Sequence, residues 1–268
     1  MYWVRPVYEM DNLWRKICSD ARGLNASEPL LEVFFANSIL KHSCLADALV
    51  HKLSSFIDNG ALAADVFANI CRQALADDGQ ILWSVNADLQ AYVQRDAACD
   101  SYVVPLLYFK GFQALQLQRI THWLWCRDRR MLALLLHSQM VKKFAVDIHP
   151  GAVMGSGIML DHATGLVIGE TAVVGDDVSI LHSVTLGGSG SAPGDRHPKI
   201  ASGVLIAAGA KILGNIHIGE GVKVGAGSLV LETVPAHVTV AGVPATAVGI
   251  PSETSPALEM DQNLEPVT

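Results

Sequence analysis

Two groups of residues in this chain are suited to chemistry: the pair Asp161-His162, and the short run Asp195-Arg196-His197 with Lys199 close behind. An imidazole titrates near neutral pH and can take a proton from a weakly acidic hydroxyl, and a carboxylate beside it fixes its tautomer and stabilises the imidazolium. Asp147 stands 15 residues before His162. That is close to one coil of the repeat described below, so the two could meet near a corner. The same spacing fits a surface histidine with an incidental acid nearby. Arg196 carries a planar fork that matches a carboxylate. A solvated loop with ordinary charges is the other reading of that run.

Other constellations compete with these. GSG at 155–157 and GGSGSAPG at 187–194 suggest a phosphate loop, but no Lys-Ser/Thr follows and no helix is expected after them. Counted along the repeat, His162 and His182 fall in one column, one strand spacing apart. Two stacked imidazoles could begin a metal site, which needs a third ligand. His149 and His217 occupy different positions of the repeat, so the expectation is no metal. All five cysteines (Cys18, Cys44, Cys71, Cys99, Cys126) precede residue 146. A cysteinyl acyl intermediate in the second half is therefore disfavoured, and direct attack by a base-activated hydroxyl is simpler. Their odd number and spacings of 26 to 28 residues form neither a chelating pair nor a disulfide framework, which points to a reducing compartment.

The elements that must hold these residues differ between the two halves. From Val146 onward the chain has 19 of its 23 glycines and a six-residue beat of aliphatic residues. It runs through Ile148, Met154 and Leu160. After two extra residues, counted at 166–167, it continues through Ile168, Val174, Ile180 and Leu186. After a long interruption it proceeds in steps of six from Ile200 to Val230. A small or branched residue stands four after most of them: Ala152, Ile158, Thr164, Ala172, Val178 and Val184, then Val204, Ala210, Ile216, Val222 and Ser228. No helix sustains a period of six; it marks short strands stacked in a solenoid. Three hexads per coil give about five coils, a rod roughly 24 Å long at the usual strand spacing. The run GGSGSAPGDRHPKI leaves the solenoid as a loop.

The first half reads as helices that pack and assemble subunits. Leu45, Leu49, Leu53 and Ile57 recur every four residues behind a possible Ser43 cap, as do Ile81, Val85, Leu89 and the pair Tyr92/Val93. Two further stretches between Leu106 and Phe144 break near Arg127-Asp128. Residues 1–145 carry 15 Lys and Arg against 14 acids, and residues 146–268 carry 4 against 12. The acidic second half argues against a nucleic-acid surface. No window has the run of about 18 apolar residues a membrane helix needs, nor does the start resemble a signal. The expected division is an α-helical domain at 1–145, a solenoid at 146–250 and a Pro/Ser/Glu-rich, disordered tail at 251–268.

The beat resembles the left-handed parallel β-helix of hexapeptide-repeat acyltransferases. Within that group DIHPGAVMGSGIMLDHATGLVIGETAVVGDDVSILHSVTLGG, GDRHPKI and KILGNIHIG are similar to bacterial serine acetyltransferases, as is RDAACDSYVVPLLYFKGFQALQLQRITHWLW in the helical half. The resemblance spans roughly residues 10–250 and implies a cytoplasmic enzyme that transfers acetyl from acetyl-CoA to L-serine, in the first step of cysteine biosynthesis. It implies that His162 is the general base, oriented by Asp147. Asp96 and Asp161 would hold the substrate ammonium, and Arg196 with His197 its carboxylate. Acetyl-CoA would lie near Gly188, Ala208, Gly209 and Lys223. It further implies a hexamer of two trimers, inhibition by L-cysteine, and O-acetylserine sulfhydrylase as a partner. Two residues depart from the family pattern: Thr246 stands where relatives usually have a basic residue, and Thr268 where many end in isoleucine. Relatives that acetylate another hydroxyl or amine share the beat but lack the helical domain; a γ-carbonic-anhydrase-like metalloprotein is the more distant alternative.

Overall fold

A computed structural model describes residues 5–57, 62–190 and 193–264. The helical half begins with α1 (Arg5–Ser27), then a 3-10 turn at Pro29–Leu31 and α2 (Glu32–Phe35), which runs on into a π-turn at Ala36–Leu40. It continues with α3 (Leu45–Ser54), α4 (Ala64–Asp77), α5 (Gly79–Arg95), α6 (Val103–Tyr108), α7 (Lys110–Trp125) and α8 (Arg130–Phe144). The four-residue rows expected on α3 and α5 are buried. Ser43 does not cap α3: its hydroxyl donates to the Asp47 carboxylate at 2.6 Å, and Cys44 occupies the cap position. The stretch expected to run unbroken from Leu106 stops at Phe109, whose backbone is extended, so α7 starts in a new direction. The new start sets Gly111 against the solenoid, where a Cβ would fall 2.1 Å from the Leu160 carbonyl oxygen. No single helix among the described residues is long and apolar enough to cross a membrane.

From Val146 the chain winds as a three-sided parallel solenoid. The first coil is β1 (Val146–Ile148), β2 (Val153–Met154) and β3 (Met159–Leu160); the second is β4 (Leu166–Ile168), β5 (Val173–Val174) and β6 (Ser179–Ile180). The third is β7 (Thr185–Gly187), β8 (Lys199–Ile200) and β9 (Leu205–Ile206), and the fourth β10 (Lys211–Leu213), β11 (His217–Ile218) and β12 (Lys223–Val224). A fifth coil holds β13 (Leu229–Val230) and β14 (Thr239–Gly242), against which β15 (Ala245–Gly249) folds antiparallel. The sheets stack in the orders β1-β4-β7-β10-β13, β2-β5-β8-β11 and β3-β6-β9-β12-β14-β15. The residues on the beat fill the interior, with Met154 half-buried. Of the intermediate positions Thr164 is exposed and Ile216 only half-buried, and the others are buried.

Thr164 departs because the two extra residues are not at 166–167. Leu160 pairs with Ile180, and Val167 with Thr185. Seven residues therefore separate the first pair of positions and five the second, while Leu166 is fully buried. The insertion lies in the corner 161–165, the corner that carries His162.

The first coil has strands on one side only, because β1, β2 and β3 are each the end of a sheet. Helices α5 and α7 cover that open edge with polar side chains. His122 Nδ1 meets the Pro150 carbonyl at 2.8 Å, Gln118 donates to the Ala152 carbonyl, and Arg119 donates to the Met154 and Gly155 carbonyls. Asp88 accepts from the Ile158 N–H at 2.9 Å, and the Tyr92 hydroxyl both donates to Leu160 O and accepts from Leu160 N. Unpaired backbone groups buried there would each cost about 1–3 kcal/mol. Asp88 is itself fully buried and ion-paired to Arg119 at 2.7 Å. Burial pushes its carboxyl upward, against the Arg119 charge and three hydrogen-bond donors.

Residues 251–264 are not free. Helix α9 (Pro256–Glu259) lies against the third sheet, with Ser179 Oγ donating to the Ala257 carbonyl at 2.8 Å. Asp261 pairs with Lys223 at 3.0 Å. An apolar contact and an ion pair order a segment whose composition suggested disorder. The Thr268 terminus lies outside the described residues.

Asp88→Ala would leave Arg119 buried without its anion. It should destabilise the folded protein by about 3–5 kcal/mol, read as a lower guanidinium midpoint at fixed protein concentration.

Candidate active site

Asp161, His162 and Ala163 form the corner between β3 and β4, where His162 and Ala163 have φ of +54° and +56°. The two extra residues make this corner protrude, and the His162 side chain is 73% exposed. Its Nε2 stands 3.7 Å from Asp161 Oδ1. The ring of His182, in the same corner one coil on, meets it edge to face at 5.8 Å between centroids. Gly209 N–H donates to the His182 carbonyl, so Ala208-Gly209 continue the column. The two imidazoles thus share one column, with their rings edge to face rather than stacked. Among the described residues no group of three or more His, Cys, Asp or Glu is placed to hold a metal.

Asp96, at the C-terminal cap of α5, faces this corner. Burial pushes the Asp161 carboxyl up; His162 opposes the shift, and the Asp96 charge adds to it. A carboxylate whose charged form is disfavoured by burial and by a second acid is stabilised by an arriving cation.

Arg196 and His197 form a second cluster. His197 packs on the turn that leaves β4, its ring so close to Gly169 that a Cβ there would fall 2.0 Å away. Its Nδ1 accepts from the Thr171 N–H at 3.2 Å, which leaves Nε2 the protonated nitrogen of the neutral ring. Burial, followed by the neighbouring Arg196 charge, holds this imidazole below its ordinary pKa. Arg196 pairs with Glu170 at 2.8 Å and is braced through its backbone N–H by Thr171 Oγ1 at 3.0 Å. Lys199 is taken up by Asp195 and by the Thr171 and His197 carbonyls, and braces the loop. Gly188 lies against the Arg196 side chain.

Asp147 does not meet His162 within the chain. Its carboxylate accepts from His137 Nε2 on α8 at 2.8 Å, a bond that holds its pKa below the usual carboxylate range. It lies with His149, half-buried beside Trp125, whose charged form is disfavoured by burial and favoured by Glu170. Asp147 thus sides with Arg196 and His197. β1 turns Asp147 outward on the first sheet, whereas His162 stands at the corner entering that sheet, so a spacing of one coil does not bring the two together within one chain. Lys223 is also placed otherwise than expected. Its side chain is 4% exposed beneath the tail, with the ammonium on Asp261, so CoA reaches it only if the tail lifts. Thr246 is exposed on β15, beside a groove of about 570 Å³ along the last coil.

His137, Glu170 and Thr171 went unread in the sequence. Glu170 and Thr171 sit at a corner position where the beat demands nothing, and His137 lies in a stretch read only as helix. Only the registered coils bring them to Asp147 and Arg196.

A parallel β-solenoid with an outward imidazole on one corner and a helical domain on its first coil is the architecture of a hexapeptide-repeat acyltransferase. The family described as serine acetyltransferase, N-terminal, matches residues 13–117, and the bacterial transferase hexapeptide (six repeats) family matches 197–232. The chain is 52% identical over 258 residues to the serine acetyltransferase of Salmonella typhimurium, covering 96% of this chain and 94% of that protein. It is 51% identical to that of Escherichia coli, over 95% and 93%. The crystal structure of serine acetyltransferase from Vibrio cholerae superposes with a TM-score of 0.93 at 50% identity, covering 95% of this chain and 98% of that one. Similar structures hold cysteine (47% identical), CoA in the Brucella abortus protein (45%) and serine in the Neisseria gonorrhoeae protein (50%). The chain belongs to the serine acetyltransferase family.

Gly169→Ala should push the His197 ring off its seat and lower kcat/KM for serine by roughly 10–100-fold, with an unchanged circular-dichroism spectrum. Steady-state rates at varied serine check this.

Proposed function

We propose that this serine acetyltransferase, which converts acetyl-CoA and L-serine to O-acetyl-L-serine and CoA, completes each active site with residues of two chains. The observation that carries this reading is the separation of the two clusters along β4. His162, Asp161 and Asp96 stand where the chain enters that strand, and Arg196 and His197 where it leaves. The three residues of β4 alone span about 10 Å, yet serine bears its ammonium and carboxylate on one carbon. A neighbouring solenoid brings its exit corner to this chain's entry corner. Asp96 and Asp161 then hold the ammonium, and Arg196 and His197 of the neighbour hold the carboxylate. Arg196 exchanges part of its hold on Glu170 for the substrate.

In this arrangement the neighbour's Asp147 also reaches His162 and fixes its ring. His162 takes the hydroxyl proton as serine oxygen attacks the thioester carbonyl. The imidazolium returns that proton as the CoA thiolate leaves. CoA runs along the corner column past Ala208 and Gly209, with Gly188 of the neighbour on its other side. The CoA, serine and cysteine complexes of relatives support these ligands; cysteine, which replaces the hydroxyl by a thiol, occupies the serine site and inhibits. Three solenoids form a trimer. The apolar residues exposed on the helical half, Leu30, Val33 and Tyr108, join two trimers into a hexamer. A reducing cytoplasm suits the five free thiols.

His162→Asn should lower kcat by roughly 10²–10⁴-fold, and Arg196→Ala should raise KM for serine and weaken cysteine inhibition in parallel. Co-expressing these two chains tests the sharing. At serine well below the KM of the Arg196→Ala parent, where both parents are nearly inactive, mixed oligomers contain interfaces with both halves intact, so activity should recover to about a quarter of wild type. Mixed oligomers no more active than either parent would place the whole site in one chain.

A further inference from the structure

Asp96 is one residue past the end of α5, and its N–H closes the last helical bond, to the Tyr92 carbonyl at 2.9 Å. The two residues of that turn facing the solenoid are both polar and both buried. Arg95, its side chain 2% exposed, donates from Nη2 to Asp177 at 2.9 Å and from Nη1 to Ser179 Oγ at 3.2 Å. Tyr92 holds both backbone groups of Leu160, the residue before Asp161. From the opposite side, Gly111 at the start of α7 lies against the same Leu160 carbonyl, and its nearest neighbours include Ala163 of the His162 corner. Tyr92 thus fixes the end of α5 to the residue before Asp161, and Arg95 fixes it to the start of β6 one coil on, where the Ile180 carbonyl accepts from the Asp161 N–H at 2.8 Å.

Stability alone is a weak reason for Arg95. A buried ion pair is often no more stabilising than apolar residues of the same volume, and Arg95 leaves its Nε without a partner. What the fork does supply is direction: two acceptors on successive odd positions of one corner, Asp177 and Ser179, admit a single orientation of the helix end. We propose that Arg95 and Tyr92 are positioning residues that set the separation of Asp96 from Asp161, and so the fit of the ammonium of serine and of cysteine. This rests on the assignment of those two carboxylates to the ammonium. Neither residue touches the reacting atoms, so a loosened clamp weakens amino-acid binding and leaves CoA binding alone.

Arg95→Met is compatible with folding, since Asp177 is 56% exposed and stays hydrated, while Ser179 keeps its bond to the Ala257 carbonyl. In the full-length oligomer Arg95→Met and Tyr92→Phe should each raise KM for serine by about 10-fold, with kcat changed by no more than about 3-fold. The cysteine concentration for half-inhibition should rise by the same factor as KM for serine, and KM for acetyl-CoA should not move. Arg95→Lys, which can reach one of the two acceptors, should recover part of the loss. Gln118→Ala removes an edge bond at Ala152, away from the pair; it should lower Tm without changing KM for serine. The proposal is overturned if Arg95→Met and Tyr92→Phe leave KM for serine where Gln118→Ala leaves it. Asp96→Asn separates the two levels. If it raises KM for serine and the Arg95 and Tyr92 variants do not, the clamp alone is wrong; if it has no effect, the ammonium assignment fails and the clamp with it.

Discussion

The open edge of the first coil is the constraint on which this structure depends. A parallel solenoid satisfies each strand with the next coil, so its first coil always has a row of amides and carbonyls without a partner. Here that row is covered by side chains of α5 and α7 rather than by another strand. This accounts for an otherwise odd helix. On α7, Gln113, Gln116, Gln118, Arg119 and Thr121 are all buried along with the apolar residues; Gln118 and Arg119 bond the coil edge directly and Gln116 supports it through Asp88, while Gln113 and Thr121 bond helix carbonyls. The Asp88–Arg119 pair at the centre of the row is costly to bury, and it repays that cost by meeting three backbone groups at once.

The chemistry inherits this geometry. Because the helical domain is seated on the first coil, the end of α5 arrives beside the first corner of that coil, and Asp96 joins Asp161 there. Because that corner has two residues more than the one above it, His162 stands out from the solenoid with His182 behind it. The groups suited to a carboxylate are one strand further along, at Gly169–Thr171, where the long loop after β7 returns Arg196 and His197. A single chain thus offers two unlike half-sites on neighbouring corners. In the proposed trimer, threefold packing of this prism would bring unlike corners together, so that uniform coils could form an asymmetric pocket.

Much of this was legible in the residues. The beat named nearly every interior position, because each inward residue sees the same prism and the same demand for size. The helical rows at Leu45–Ile57 and Ile81–Tyr92 were likewise set by local period. What escaped was non-local. The two extra residues could be counted, but the count put them at 166–167 rather than in the corner 161–165, since either site keeps the beat in step. Spacing put Asp147 one coil from His162 without saying which side of the corner it would take. The break at Phe109 precedes a contact between Gly111 and Leu160, 49 residues apart, that no local period encodes. The order of the tail depends on Ser179 and Lys223, which composition cannot see.

Single-residue amide hydrogen exchange on the intact oligomer tests the central claim most directly. The N–H groups of Met159 and Asp161 bond into the second coil, to Val178 and Ile180. Those of Ile158 and Leu160 point the other way, to Asp88 and Tyr92. If the helical domain is the cap of the solenoid, all four amides should be protected to a similar degree and should open together. Near-free exchange at Ile158 and Leu160, with Met159 and Asp161 still protected, would show an open edge and contradict the account.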